Sequence, residues 1–242
     1  KAAEQSLKHY LNEDVIRFID IALELDKAGQ GNKSAAKILQ RARWERILGT
    51  ACIRLGKLKE AEAHLSQALK LLGNPPPKNT YAAIIYLLKE LTVQTLHRAF
   101  PAKLTGKLSN TRRKVEEELA QNKIESIYYY AQDTTLLAWS MLRRLNLAER
   151  AGMPDLMVEG YGNLQMISGL ARLDRVYQTY KKLGRDMLAK TNDTPGGIFI
   201  MLREGVVRFM QCDWENAYEK LEAGIQLADQ LGDARSWSEL IA

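Results

Sequence analysis

The sequence predicts an all-α protein built as an α-solenoid, a stack of about five helix pairs with one irregular inserted helix. Three observations lead there. Apolar residues recur at i, i+3 and i+4 through most of the chain, without a convincing strand-like alternation. Glycine and proline cut this pattern into helix-sized pieces. One stretch, Leu48 to Leu71, is echoed elsewhere at a fixed internal spacing.

In chain order, Val15, Ile16, Ile19, Ala22 and Leu23 form an apolar stripe with Asn12 placed as N-cap and Gly29 as the stop. A helix from about Ser34 to Leu55 and another from Leu58 to Leu72 meet at Gly56. The run Gly73-Asn74-Pro75-Pro76-Pro77 ends that pair, because proline cannot continue the hydrogen-bond ladder. Tyr81 to Phe100 is helical and closed by Pro101, and Lys103 to Asn110 is a basic loop holding Gly106. Helices follow at Arg112 to Tyr130 and Asp133 to Ala151, then a break at Gly152-Met153-Pro154. Two further pairs, Asp155 to Ala189 and Ile198 to Leu231, flank the connection Lys190 to Gly197.

The stretch from Leu48 to Leu71 resembles a tetratricopeptide repeat. Gly49 and Ala61 are the small residues where its two helices cross, Leu65 fills the space beside them, and Ala68 admits the next helix. Gly205, Ala217, Leu221 and Gly224 repeat this set, and Ala3, Val15, Ile19 and Ala22 give a copy truncated by the start of the chain. Aligning second helices on Ala61, Leu137, Tyr177 and Ala217 gives steps of 76, 40 and 40 residues. The long step marks an irregular insertion at about 78–111 in a single repeat domain spanning 1–242. The resemblance implies a right-handed solenoid.

Composition excludes several classes. With 46% hydrophobic and 26% charged residues, 6 Pro and 2 Cys, the chain is not disordered, collagenous or a disulfide scaffold. Cys52 and Cys212 read as reduced core thiols, which fits a cytoplasmic location. The longest apolar run, Ala82 to Leu88, is far short of a membrane span. The last residues, Ser236 to Ala242, read as the opening of another helix, as in a segment of a longer protein. The formal charge of +6 is uneven: Lys27 to Lys59 carries nine Lys or Arg against one acid, and Arg98 to Lys114 six against none. A nucleic-acid-binding helical-repeat domain using Lys33 to Arg54 and Arg98 to Lys114 is therefore the alternative reading. It ranks second because no recognised nucleic-acid motif accompanies the charge.

Catalytic equipment is not visible in the sequence. Gly56-Lys57-Leu58 and Gly106-Lys107-Leu108 have leucine where a phosphate-binding loop needs a hydroxyl. His9, His64 and His97 have no partner at metal-ligand spacing and read as surface or boundary residues. Glu116-Glu117-Glu118 reads as a solvated face, since three consecutive helical residues fan around the axis. The tryptophans look structural, with Trp214 wedged between repeats. No enzyme activity, metal or cofactor is expected for this segment.

Functional promise lies on the concave face that first helices line in such stacks. Repeat phase puts Arg43, Arg46, Thr50 and Arg54 there, then Asn122, Ser126, Tyr129 and Tyr130, then Phe199, Leu202, Val206, Phe209 and Met210. Tyr and Arg are common interface anchors. Two uses stand open, a groove for a protein or peptide and packing against neighbouring domains of the same chain.

More than a generic repeat is matched by Arg41 to Gly49, Leu55 to Glu60, Ala68 to Gly73, Leu145 to Gly152, Asp213-Trp214 and Leu231 to Trp237. Together these resemble the C-terminal tetratricopeptide region of bacterial signalling proteins that join a class III adenylate/guanylate cyclase or a protein kinase to a STAND-type AAA ATPase. The resemblance implies a non-catalytic sensor or scaffold arm that recognises a partner or restrains the ATPase. No catalytic residue carries over to this segment. Cys212, where glycine is usual, and Val15, where alanine is commoner, depart from the pattern and imply looser helix crossings.

Overall fold

The turns organise this fold. The computed structural model describes residues 5, 11–28, 34–106, 112–191, 193–233 and 240, and all of its regular elements are α-helices. They are α1 (Asn12–Ala28), α2 (Ala35–Arg54), α3 (Leu58–Leu71), α4 (Thr80–Ala99), the short α5 (Pro101–Leu104), α6 (Arg112–Tyr130), α7 (Thr134–Ala151), α8 (Pro154–Leu170), α9 (Asp174–Thr191), α10 (Thr194–Met210) and α11 (Trp214–Leu231). Ala3, His9, Lys33, residues 107–111 of the basic segment, and Trp237 lie outside the described residues.

Second helices start at Leu58, Thr134, Asp174 and Trp214, which reproduces the steps of 76, 40 and 40. Each is entered through the same turn. Lys57, Asp133, Leu173 and Asp213 donate their backbone N–H to Cys52, Tyr128, Ser168 and Arg208 carbonyls at 2.9, 3.1, 2.9 and 3.0 Å. These are six-to-one closures of a helix end, and they require a left-handed residue just before. Gly56 supplies it in the first turn (φ 74°), whereas Gln132, Arg172 and Cys212 adopt φ of 55°, 56° and 59° in the others. Cys212 is therefore an exposed turn residue, not the core thiol expected from its apolar neighbours. Its departure from glycine is absorbed by the turn and not by a helix crossing.

Three prolines act as helix starters. Pro101, Pro154 and Pro195 sit in first turns, where the missing N–H has no intrahelical acceptor to lose. The basic loop therefore gives up Lys103 and Leu104 to α5. The expected break from Lys190 to Gly197 shrinks, because α9 runs to Thr191 and Asp193 caps α10 by accepting from the Gly196 N–H at 3.0 Å. Asn12 is not the cap of α1 but its first residue, and its side-chain oxygen is buried without a partner.

The chain divides into two compact units, Lys1–Ala99 with Ser109–Leu147, and Phe100–Leu108 with Ala148–Ala242. In the first, α2 and α3 form a hairpin whose crossing is set by Gly49. A Cβ there would come within 2.6 Å of Leu65 Cγ and 3.2 Å of the Ala61 carbonyl oxygen. Helix α6 packs on both α2 and α3. The core joins Cys52, Ala61, Leu65, Ala68 and Leu69 to Ala120, Ile124, Ile127, Tyr128 and Trp139. Val15 is fully buried with Ile19, Ile47, Leu48 and Ala51.

In the second unit, α8 packs on α9 and α10, and α10 on α11. Gly205 repeats the Gly49 role, with a Cβ placed 2.6 Å from Leu221 Cδ2. Ile198, Ala228 and Leu240 form a core cluster, and Leu240 lies over Gly224. Gly106 is tied in by its N–H, which donates to the Glu149 carbonyl at 2.8 Å.

Helix α4 fills the predicted insertion with its polar side inward. Glu90, Gln94 and His97 are buried. Arg143 Nη1 donates to Glu90 at 2.9 Å, Asn146 Nδ2 donates to Glu90 Oε2 at 2.8 Å, and Gln94 Nε2 donates to Asn146 Oδ1 at 3.0 Å. His97 is thus an interior residue, against the expectation of a surface or boundary position.

Candidate interaction surface

Predicted site residues in the first unit come from α2 and α6, and half of them, Arg46, Thr50, Asn122 and Ser126, are drawn into helix packing or bonds within their own helix. Arg46 is only 14% exposed and grips the Glu116 carboxylate with Nε and, at 3.5 Å, Nη2. Thr50 is buried and donates its hydroxyl to the Arg46 carbonyl at 2.8 Å. Asn122 is half-buried; with its amide turned to satisfy both ends, its oxygen accepts from Arg144 at 2.7 and 3.2 Å. Ser126 is half-buried and donates to the Asn122 carbonyl at 3.4 Å.

The exposed members are Arg43, Arg54, Tyr129 and Tyr130. The tyrosines are 65% and 63% exposed, edge to face, with ring centroids 5.8 Å apart. Their neighbour Tyr128 faces the core, and burial pushes its phenol pKa well up. The Tyr128-Tyr129-Tyr130 cluster therefore splits into one core residue and an outward pair.

In the second unit, Phe199 is half-buried beneath the Arg203 guanidinium, 4.5 Å above its ring. Leu202 and Val206 are half-buried, while Phe209 and Met210 are 52% and 63% exposed. Phe209 meets Trp214 edge to face at 5.0 Å. Trp214 is 57% exposed, so it covers Phe209 at the surface and does not wedge between repeats.

A pattern that sequence reading missed emerges from the helix phases. The position of Arg54 is repeated at Tyr130, Leu170 and Met210, and all four side chains are exposed. Each first helix thus ends its last turn on a large outward side chain. Steps of 76, 40 and 40 were the signal that could have found it.

The acidic run is not the solvated face that its sequence predicts. Glu116, Glu117 and Glu118 are buried, and each finds its own cation. Glu116 meets Arg46; Glu117 meets Lys114 at 3.0 Å and Arg143 at 3.1 Å; Glu118 meets Arg144 at 2.8 Å. The three carboxylates do fan around the axis, but α6 is flanked by helices on the sides they reach. A buried carboxylate is tolerable only when paired and hydrogen-bonded in this way.

The basic stretches are likewise partly consumed. Arg41 lies 3.7 Å from Asp26, Arg113 donates to the Leu72 carbonyl at 2.6 Å, and Lys114 holds Glu117. His64 Nδ1 is 2.8 Å from Glu45, and this hydrogen bond raises the imidazole pKa. Burial raises that of the Cys52 thiol. Among the described residues, no group of three or more His, Cys, Asp or Glu is placed to hold a metal ion, and no helix is long and apolar enough to cross a membrane.

No protein-family model, curated protein or solved structure significantly matches this chain.

Proposed function

We propose that this chain is a non-catalytic, cytoplasmic interaction and regulatory arm, a right-handed stack of tetratricopeptide-like helix pairs that binds a protein or peptide or the neighbouring domains of its own chain. The observation carrying this reading is the large exposed side chain at one repeat position, occupied by Arg54, Tyr130, Leu170 and Met210. Exposed Tyr129 and Tyr130 supply an amphipathic anchor that a partner can bury without ordering a long, flexible side chain. The regular turns and glycine crossings support the repeat assignment.

In the setting suggested by the sequence resemblance, the arm would sense a partner or restrain a linked ATPase, cyclase or kinase. A stack whose repeats touch mainly neighbours bends at modest cost. A partner that binds one curvature better than another shifts that equilibrium. Nucleic acid is the weaker alternative, since much of the described basic charge is already paired inside the fold.

The test is selection from a displayed random-peptide library, followed by titration of the recovered peptides against wild type and Tyr129→Ala/Tyr130→Ala. The expected result is enrichment of a peptide class whose affinity drops at least about tenfold in the double variant, with unchanged melting temperature. Because both side chains are exposed, a fold defect would show separately in that temperature. No enrichment, or equal binding by the variant, would refute the tyrosine anchor.

A further inference from the structure

Helix α4 is amphipathic in the unusual sense. Its buried side carries Glu90, Gln94 and His97, whereas Tyr81, Ile84, Ile85, Leu88, Leu91 and Leu96 stand 82%, 44%, 64%, 58%, 44% and 44% exposed. The exposed row follows the four-three spacing of a helix-pair seam: Tyr81, Ile85, Leu88, Thr92, Thr95 and Ala99. Its two threonines do not ask for water. Thr92 Oγ1 donates to the Leu88 carbonyl at 2.8 Å and Thr95 Oγ1 to the Leu91 carbonyl at 2.9 Å. The helix has a single acid, Glu90, which is buried, so the outward face offers no carboxylate to a basic partner.

We propose that this face is the seam of an isologous dimer, in which α4 packs antiparallel against α4 of a second copy of this chain. The seam is self-complementary in that direction. Large residues occupy its first half and small ones its second, so antiparallel pairing sets Tyr81 against Ala99, Ile85 against Thr95, and Leu88 against Thr92. Parallel pairing would set large against large at one end and leave a gap at the other. The apolar patch exposes on the order of 600 Å², the upper limit of what ordinary monomers leave bare. Two such faces would bury at most about 1,200 Å², the lower limit of specific dimers, so a weak, concentration-dependent dimer is expected. The flanking Lys89 is the one exposed cation on the helix, so a two-fold pair brings no row of like charges together.

Sedimentation equilibrium from about 1 to 100 μM tests the proposal on the 242-residue chain. The wild type is expected to dimerise, and Leu88→Glu and Leu88→Lys each to remain monomeric with unchanged helicity and melting temperature. Mixing the two variants should restore the dimer by charge pairing. In a Cys212→Ser background, Ile85→Cys and Thr95→Cys chains should cross-link when mixed and not when alone. A monomer at the highest concentration would overturn the proposal, as would a dimer indifferent to Leu88→Glu. Cross-linking of Ile85→Cys to itself would overturn the antiparallel arrangement. Monomeric protein that floats with anionic lipid vesicles would assign the face to a membrane surface instead.

Discussion

Cys212 shows how one residue can keep a repeat's geometry while departing from its usual chemistry. Its φ of 59° is tolerated because the Asp213 N–H closes on the Arg208 carbonyl at 3.0 Å, and a left-handed residue is needed in between. A side chain there costs about 1 kcal/mol relative to glycine. Cys212→Gly should therefore raise the urea midpoint, corresponding to about 0.5–1 kcal/mol, and a lower midpoint would deny that the turn is strained. His64 belongs to the same scale. Its hydrogen bond to Glu45 raises its pKa in the folded state, so the added stability is complete below the unfolded value of about 6.5 and is lost as pH rises through the folded value. The ring is partly exposed, which screens the pair and keeps the effect to about 0.5 kcal/mol or less. The urea midpoint should fall from about pH 6 to about pH 8 in the wild type, and the part of that fall due to His64 should be absent in Glu45→Gln.

At the level of helices, two kinds of crossing coexist. In the α2–α3 and α10–α11 hairpins, Gly49 and Gly205 let Leu65 and Leu221 lie against the opposing backbone. Gly49→Ala and Gly205→Ala should each destabilise the protein by about 1–3 kcal/mol in chemical denaturation, through forced displacement of those leucines. The α6–α7 hairpin instead carries Glu125 and Arg144 at the positions of Gly49 and Ala68. Arg144 is 9% exposed and joins Glu118 at 2.8 Å to Glu125 at 3.1 Å. Removing it strands two carboxylates away from water, so Arg144→Ala should cost about 3 kcal/mol or more. A loss below that of an exposed control such as Arg43→Ala would show that the crossing does not depend on the ion pairs. Periodicity located both helices, but the pairing was not legible, because Glu118 and Arg144 are distant in sequence and only the hairpin brings them together.

For the whole molecule, the cations counted in the two basic stretches overstate what is available to a polyanion. Arg41, Arg46, Arg113 and Lys114 each hold an internal partner. A labelled duplex or single strand is therefore expected to remain unshifted at low salt; a shift weakening steeply with added salt would restore the nucleic-acid reading. By itself, the sequence determined the all-helical class, the steps of 76, 40 and 40, the inserted helix and the glycines at the hairpin crossings. Those features are local or periodic, and are written in spacing that a helix must obey. Tertiary structure alone decided which polar residues go inside. It turned Glu116, Glu117 and Glu118 into buried ion-pair partners, moved Arg46, Thr50, Asn122 and Ser126 from the candidate surface into helix packing, and set α4 with its apolar side outward. The physical reason is that burial of a charge depends on a counter-charge arriving from another helix, and no one-helix pattern records that arrival.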